Sequence, residues 1–279
     1  MTRVLLTGAT GFVGTQVLRH LLAKGAQVTA VLRPDRPAPI GVTPLRSPDL
    51  FAEPASFWAN TCAGHDAVVH VAWYAEPGKY LHSPLNLDCL VGTLRLAQGA
   101  AAAGVRHFTG IGTCFEYDLS AAAVLPHQPL TTHAPLAAAT PYGSAKAATF
   151  MALTGNLPGM GFAWCRLFYL FGQGEDPRRL VPYLHGRLAA GEPVELTSGR
   201  QLRDFLDVAE AGRQIAEVSL RGLTGPLNIC SGLPVTIAAL AARIAESYGR
   251  PDLIRLGARP DSADDPAYVV GVPSLAAMA

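Results

Sequence analysis

The stretch RVLLTGATGFVGTQVLRHLLAKG, residues 3–25, decides the fold. An apolar run, RVLLTG, ends on glycine, and Phe12, Val13, Val17, Leu18, Leu21 and Leu22 then recur at helical spacing until Gly25, a predicted helix stop. QVTAVLR at 27–33 reads as a second strand, so the segment is a strand, a helix and a strand with the short links of a parallel βαβ unit. At its first turn stands TGATGFVG, with Gly8, Gly11 and Gly14 interleaved with Thr10, Phe12 and Val13. Glycines permit the tight turn and let backbone approach a pyrophosphate, whose charge is met by free N–H groups at the helix start. A glycine-rich turn that binds nothing is the plain alternative. The strand before, the helix after and the second strand on schedule favour dinucleotide binding by these six residues.

Outward from this unit the alternation repeats. DAVVHVAW at 66–73 reads as a strand, NLDCLVGTLRLAQGAAAAG at 86–104 as a long helix and RHFTGIGT at 106–113 as the next strand. Residues 1–165 are therefore expected to form an α/β domain, a doubly wound parallel Rossmann sheet. Beyond 165 the pattern loosens, with FGQGEDPRR, GEPVEL and RGLTGPL interrupting the helical segments VPYLHGRLAAG and VAEAGRQIAEVSLRG. Residues 166–279 are expected to be mainly a smaller substrate-binding lobe, partly interleaved with the first domain.

Composition narrows the function classes. With 49% hydrophobic and 15% charged residues and a net charge of +1, the chain has ample core and no general basic surface. Nucleic acid and anionic membranes are thus not expected as partners. No apolar run reaches the ~18 residues of a spanning helix, and the opening residues lack a leader pattern, so a cytoplasmic location is expected. The five cysteines are odd in number and never in a C-x-x-C pair, which predicts buried thiols rather than disulfides or a zinc site. No metal is expected.

The second strand ends in Arg33, followed by Pro34, Asp35 and Arg36. A carboxylate at that end would suit the ribose hydroxyls of NAD, whereas Arg33 and Arg36 offer permanently charged donors to a 2′-phosphate. NADP is therefore the expected cofactor, with NAD the alternative if Asp35 contacts the ribose. Further on, TPYGSAKAA at 140–148 sets Tyr142 and Lys146 four apart, on one face of a helix. A neighbouring ammonium favours the phenolate and brings a phenol toward the working range of a general acid. Tyr142 is then the proton donor, and the hydroxyl of Thr113 hydrogen-bonds the same carbonyl oxygen. Thr140 as cap with Pro141 in the first turn is equally what an ordinary helix start requires.

These segments together resemble the extended short-chain dehydrogenase/reductases, the group of nucleotide-sugar epimerases, dehydratases and 4-ketoreductases. TGATGFVG resembles the group's glycine motif, Asp49-Leu50 its adenine-contacting pair and HVAW its fourth-strand motif, which brings Ala72 to the cofactor. Asn86 is similar to the asparagine opening the next long helix, GTCFEY to the segment with the catalytic hydroxyl and PYGSAK to Y-x-x-x-K. The resemblance implies that Lys146 also holds the nicotinamide ribose. Related 4,6-dehydratases carry Asp-Glu after the hydroxyl residue, where this chain has Cys114-Phe115, so dehydration by the usual route is not expected. Glu116 keeps that question open, and Cys114 is expected to pack rather than act as a base. RQLRDFLDVAEAG at 200–212 resembles the R-D-F/Y motif and implies that Arg203 meets the nucleotide part of the substrate; an Arg203–Asp204 pair organising the lobe is the alternative. CRLFYLFGQG at 165–174 departs from the group, with Tyr169 in place of Asn and Gln173 in place of Pro. Trp73, Tyr74 and Tyr80 are expected beside the nicotinamide end, as substrate contacts or as core. Arg178 and Arg179 are candidates for phosphate or solvent, and His70 for a structural role. The expected activity is NADP-dependent reduction of a small ketone, above all the 4-keto group of a nucleotide-linked 6-deoxyhexose. A 4-epimerase with bound NAD and a non-catalytic NADPH sensor are the alternatives. Dimerisation through helices is common in the group, and ARPDSADDPAYVVG at 258–271 resembles a tail that closes over substrate.

Overall fold

The computed structural model describes residues 1–120, 128–262 and 265–275. Its first half runs β1 (Arg3–Thr7), α1 (Phe12–Ala23), β2 (Gln27–Leu32), β3 (Val42–Arg46), α2 (Ala55–Cys62), β4 (Ala67–His70), α3 (Leu85–Ala102), β5 (His107–Thr113), α4 (Pro141–Leu153) and β6 (Gly161–Leu167). The second half runs β7 (Tyr169–Phe171), α5 (Leu180–Ala189), β8 (Val194–Glu195), β9 (Leu202–Asp207), α6 (Val208–Arg221), β10 (Gly225–Ile229), β11 (Pro234–Thr236), α7 (Ile237–Ser247), β12 (Ile254–Arg255) and β13 (Tyr268–Val269).

Seven strands form one parallel sheet in the order β3, β2, β1, β4, β5, β6, β10. Both faces are covered, which is why β1 reads as a continuous apolar run. Val4 and Leu6 pack with α1 and α6 on one face, and Leu5 packs with α2 and α3 on the other. The direction of winding reverses between β1 and β4, and at such a switch point the chain opens a crevice beyond the carboxyl ends of the strands.

The strand expected over 66–73 ends at His70. Val71 N still donates to Thr7 O, but Ala72 N turns to the Thr7 hydroxyl, 3.2 Å away, and the chain leaves the sheet so that Trp73 enters the crevice. β3 escaped the sequence because it is a half-exposed edge strand carrying Pro44, which a sheet tolerates only there. α6 and β10 return to the large sheet, while β7, β9, β11 and β13 form a four-stranded sheet beside it. α5 and α7 enclose a separate core of Leu184, Leu188, Val194, Ala241 and Ala245 with β8. All five cysteines are buried and free, and among the described residues no helix is long and apolar enough to cross a membrane.

Candidate active site

One cleft of about 1410 Å³ lies at the carboxyl ends of the parallel strands. Gly8, Thr10, Gly11, Phe12, Val13, Gly14, Arg33, Arg36, Asp49, Leu50, Ala72, Trp73, Tyr74, Thr113, Tyr142, Lys146 and Arg203 all line it.

The glycine loop is shaped by close backbone approach. Gly8 has φ +75°, and a Cβ there would fall 2.7 Å from Ala72 N; a Cβ on Gly14 would fall 1.9 Å from Gly8 O. Gly11 begins α1 with extended backbone, no side-chain cap and no acidic residue in the first turn. The first amides of α1 therefore face the cleft without a side-chain partner, beside the positive end of the helix dipole. Such a cradle fits a dinucleotide pyrophosphate. At the end of β2, Arg46 Nη1 donates to the carbonyls of Arg33 (3.0 Å) and Arg36 (2.5 Å), fixing the turn. Both arginines are exposed, and among the described residues neither pairs with an acid, whereas Asp35 is not among the cleft-lining residues. Asp49 Oδ1 accepts from Phe51 N at 3.0 Å, tying off the Asp49-Leu50 turn.

Thr113 ends β5, and α4 carries Tyr142 and Lys146 past it. Thr140 Oγ1 accepts from Gly143 N and Pro141 occupies the first turn, so the helix start and the site share one segment. Lys146 is buried, its Nζ donating to Ile111 O at 2.6 Å and lying 3.6 Å from the Trp73 ring centre. The Tyr142 ring packs edge-on against Tyr80 (4.8 Å) and Trp73 (6.4 Å). Burial pushes Lys146 down to about 7. It also raises the Tyr142 phenol, with Tyr80 adding to that and the Thr113 side chain opposing it. The depressed phenol expected from sequence is thus not found in the polypeptide by itself. Lys146 Nζ stands 6.0 Å from the Tyr142 ring centre, turned to a carbonyl and an indole, and burial dominates.

Glu116 does not line the cleft. It is fully buried behind β5, where Oε1 accepts from Thr113 N (2.8 Å) and Trp164 Nε1 (2.9 Å) and Oε2 from Arg166 Nε (2.7 Å). Burial raises its carboxyl and the Arg166 guanidinium opposes that. Glu116 therefore braces the strand end that presents Thr113. Cys114 is buried, and burial pushes its thiol up to about 12, which denies it the thiolate of a base or nucleophile. His70 bridges Thr7 (2.8 Å) and Thr93 (2.9 Å) and is pushed down to about 3 by burial, a neutral structural ring.

At the lobe side, Arg203 is buried, donates to Leu202 O at 2.9 Å and to Asp265, and lies 5.3 Å from the Tyr169 ring centre. The alternative Arg203–Asp204 pair is not what forms: Asp204 instead accepts from Ser231 N, Gly232 N and Gly271 N. Arg178 and Arg179 separate, Arg178 pairing with Asp176 at 2.9 Å while Arg179 lines the cleft 5.8 Å from the Tyr80 ring centre. Tyr74 donates to Glu76 at 3.1 Å. Sequence reasoning missed Glu175, Gln201, Arg259 and Asp265, which also line the cleft. They come from lobe loops without periodicity; the resemblance of 258–271 to a substrate-closing tail marked the segment of Arg259 and Asp265 but not the residues, and nothing marked Glu175 or Gln201.

A family model described as the NAD dependent epimerase/dehydratase family matches residues 4–228. A dTDP-6-deoxy-L-talose 4-dehydrogenase (NAD(+)) of Aggregatibacter actinomycetemcomitans is 26% identical over 87% of this chain and 90% of its own length. A dTDP-4-dehydro-6-deoxy-D-allose reductase of Streptomyces bikiniensis is 27% identical over 97% of this chain and 86% of its own. Among solved structures, the UDP-glucose 4-epimerase of Thermus thermophilus in complex with NAD superposes with a TM-score of 0.81 at 22% identity, covering 98% of this chain and 91% of that one where the match is to the whole fold. The match over most of the chain's length, on the glycine-loop cleft just described, places this protein in the NAD-dependent epimerase/dehydratase family.

Proposed function

We propose that the protein is an NADP-dependent ketoreductase acting on the 4-keto group of a nucleotide-linked 6-deoxyhexose. The observation that carries this reading is a single cleft with two exposed, acid-free arginines at the end of β2 and Thr113, Tyr142 and Lys146 where β5 meets α4. The amides at the start of α1 would hold the pyrophosphate, Arg33 and Arg36 the 2′-phosphate, and Asp49 and Leu50 would border the adenine. When bound, NADPH supplies the hydride for the carbonyl carbon. Tyr142 delivers the proton to the carbonyl oxygen, completing the alcohol, and the Thr113 hydroxyl donates to that oxygen as its charge grows. A charged Lys146 one turn along stabilises the phenolate left behind. With Glu116 sealed in an ion pair and Cys114 buried, no side chain at the positions after Thr113 is free to take the proton that water elimination requires. The two curated relatives named above, a deoxysugar dehydrogenase and a deoxysugar reductase, support a deoxysugar substrate.

Lys146 would also reach the nicotinamide ribose, and Arg203, in exchange for Asp265, the substrate diphosphate in forked geometry. We further propose a homodimer built on α3 and α4, whose Leu87, Val91 and Met151 are exposed apolar side chains. The test of function mixes the protein with NADPH or NADH and a panel of nucleotide 4-keto-6-deoxy sugars, following nicotinamide absorbance and sugar products. Stoichiometric NADPH consumption supports the reading. Epimer formation without consumption moves it to a 4-epimerase, and silence despite NADPH binding moves it to a sensor. Light scattering of the Leu87→Glu variant against the parent tests the dimer.

A further inference from the structure

The surroundings of Lys146 raise a question that its place on α4 does not answer. Its ammonium is buried with no carboxylate in contact among the described residues. The carboxylate that acts on it, Glu116, does not touch it and is already satisfied by Arg166. Cys89 of α3 and His70 of β4 also face it, the first a buried thiol and the second a neutral ring, and Tyr142 stands one turn away on α4. A cation so placed keeps its charge only where other groups replace water.

The replacement is aromatic. Lys146 Nζ lies 3.6 Å from the centre of the Trp73 ring and 5.7 Å from that of Trp164, while donating to Ile111 O at 2.6 Å. The Trp73 ring is itself fixed: its Nε1 donates to Asn86 Oδ1 at 2.8 Å, and Asn86 is anchored through Nδ2 to Tyr80 O (2.7 Å) and Ser83 O (2.9 Å). Phe51 and Tyr142 close edge-on against the indole. We propose that Trp73 is the positioning residue for Lys146, its Asn86-tethered indole face holding the ammonium charged and aimed at the site. Trp73 would thereby act through Lys146 rather than as the substrate contact expected from sequence. The role rests on the catalytic reading of Lys146, but its test does not.

The chain has three lysines, Lys24, Lys79 and Lys146, so protein labelled with 13C at the lysine ε-carbon gives three signals to titrate over roughly pH 5 to 11. Loss of one signal in Lys146→Gln assigns it. Two roles for Trp73 predict opposite shifts. If the indole only buries Lys146, Trp73→Leu admits water and the Lys146 midpoint rises or stays. If the indole holds the charge, the midpoint falls by about one pH unit or more in Trp73→Leu and by less in Trp73→Phe, with Lys24 and Lys79 unmoved. Trp73→Phe, which keeps an aromatic ring in place, decides the matter alone should the leucine variant not fold. A midpoint at or above the parent's in a folded variant overturns the inference. This titration needs neither cofactor nor substrate, so it stands or falls apart from the ketoreductase activity. If that activity is found, the alkaline limb of its pH profile moves in step with the midpoint.

Discussion

Replacing Glu116 by Gln tests whether this carboxylate is structural or chemical. The side chain keeps its size, and if the amide oxygen takes the place of Oε1 it still accepts from Thr113 N and Trp164 Nε1. The amide nitrogen then faces Arg166 Nε, donor against donor, where the carboxylate accepted at 2.7 Å. Arg166, 1% exposed and with Nη2 already lacking a partner, is left as an uncompensated buried cation. Removing one member of such a pair costs about 3–5 kcal/mol. Against a total of about 5–15 kcal/mol that is severe, and for a chain of this size it corresponds to a fall in Tm on the order of 10 °C. Arg166→Met strands the carboxylate and should cost a similar amount. The double variant removes both charges, so its loss should be smaller than the sum of the singles by about 2 kcal/mol or more. Thermal and urea unfolding of the four proteins supplies the cycle. Additivity to within about 0.5 kcal/mol would refute the reasoning. The double variant should also turn over substrate, because the amide oxygen still holds the Thr113 strand end. A double variant that is folded but inactive would reopen Glu116 as a proton carrier.

Tyr142→Phe removes the proton donor and should cut turnover by at least about 10²-fold while NADPH titration stays close to that of the parent; surviving turnover would mean that another group donates. Arg33→Ser with Arg36→Ser should weaken NADPH by roughly 10–100-fold and leave NADH within a few-fold, the loss expected of charge-assisted bonds to a 2′-phosphate; equal losses for both would place the arginines elsewhere. His70, pushed down to about 3 by burial, stays neutral in the native state while the unfolded state takes up a proton below about 6.5. The unfolded state then binds more protons, so stability falls as pH drops from 6.5 toward 3, at about 1.4 kcal/mol per pH unit for this one group. His70→Gln, which can keep bonds to Thr7 and Thr93, should flatten the acid limb by that slope. An unchanged limb would show that other groups govern it.

The parallel sheet was legible because its parts are local. A glycine loop, an amphipathic α1 and an apolar β1 sit within one short stretch, and each step has a period that sequence displays. Tyr142 and Lys146 were legible for the same reason, one helical turn apart on α4. Their ionisation was not, since the spacing that brings the two side chains near says nothing of burial. Sequence supplied the attraction between a phenolate and an ammonium. The fold added the loss of water around both, a larger effect, and turned Lys146 toward Ile111 O and Trp73.

Partners far apart in the chain explain the remainder. Glu116 looked like a residue one place past the dehydratase pair, and only Trp164 and Arg166, about fifty residues on, make it a brace. A pair with its neighbour Asp204 was the alternative to a substrate contact for Arg203, yet adjacent residues in a strand point to opposite faces, so Arg203 reached Asp265 while Asp204 turned to the Ser231 and Gly271 loops. Past the end of β5 the alternation stops and the chain turns: Thr113, Cys114 and Phe115 all border the cleft, and burial keeps the Cys114 thiol neutral there. The proposed reduction therefore rests on a contrast of environments along four residues. Thr113 borders the cleft, Cys114 is pushed up to about 12, and Glu116 is locked to Arg166. With these neighbours silenced, the cleft keeps two groups with a proton to give, Tyr142 beside Thr113 and Glu175, raised to about 7 by burial, on the lobe side; under the proposed reduction Tyr142, one turn from Lys146, is the donor.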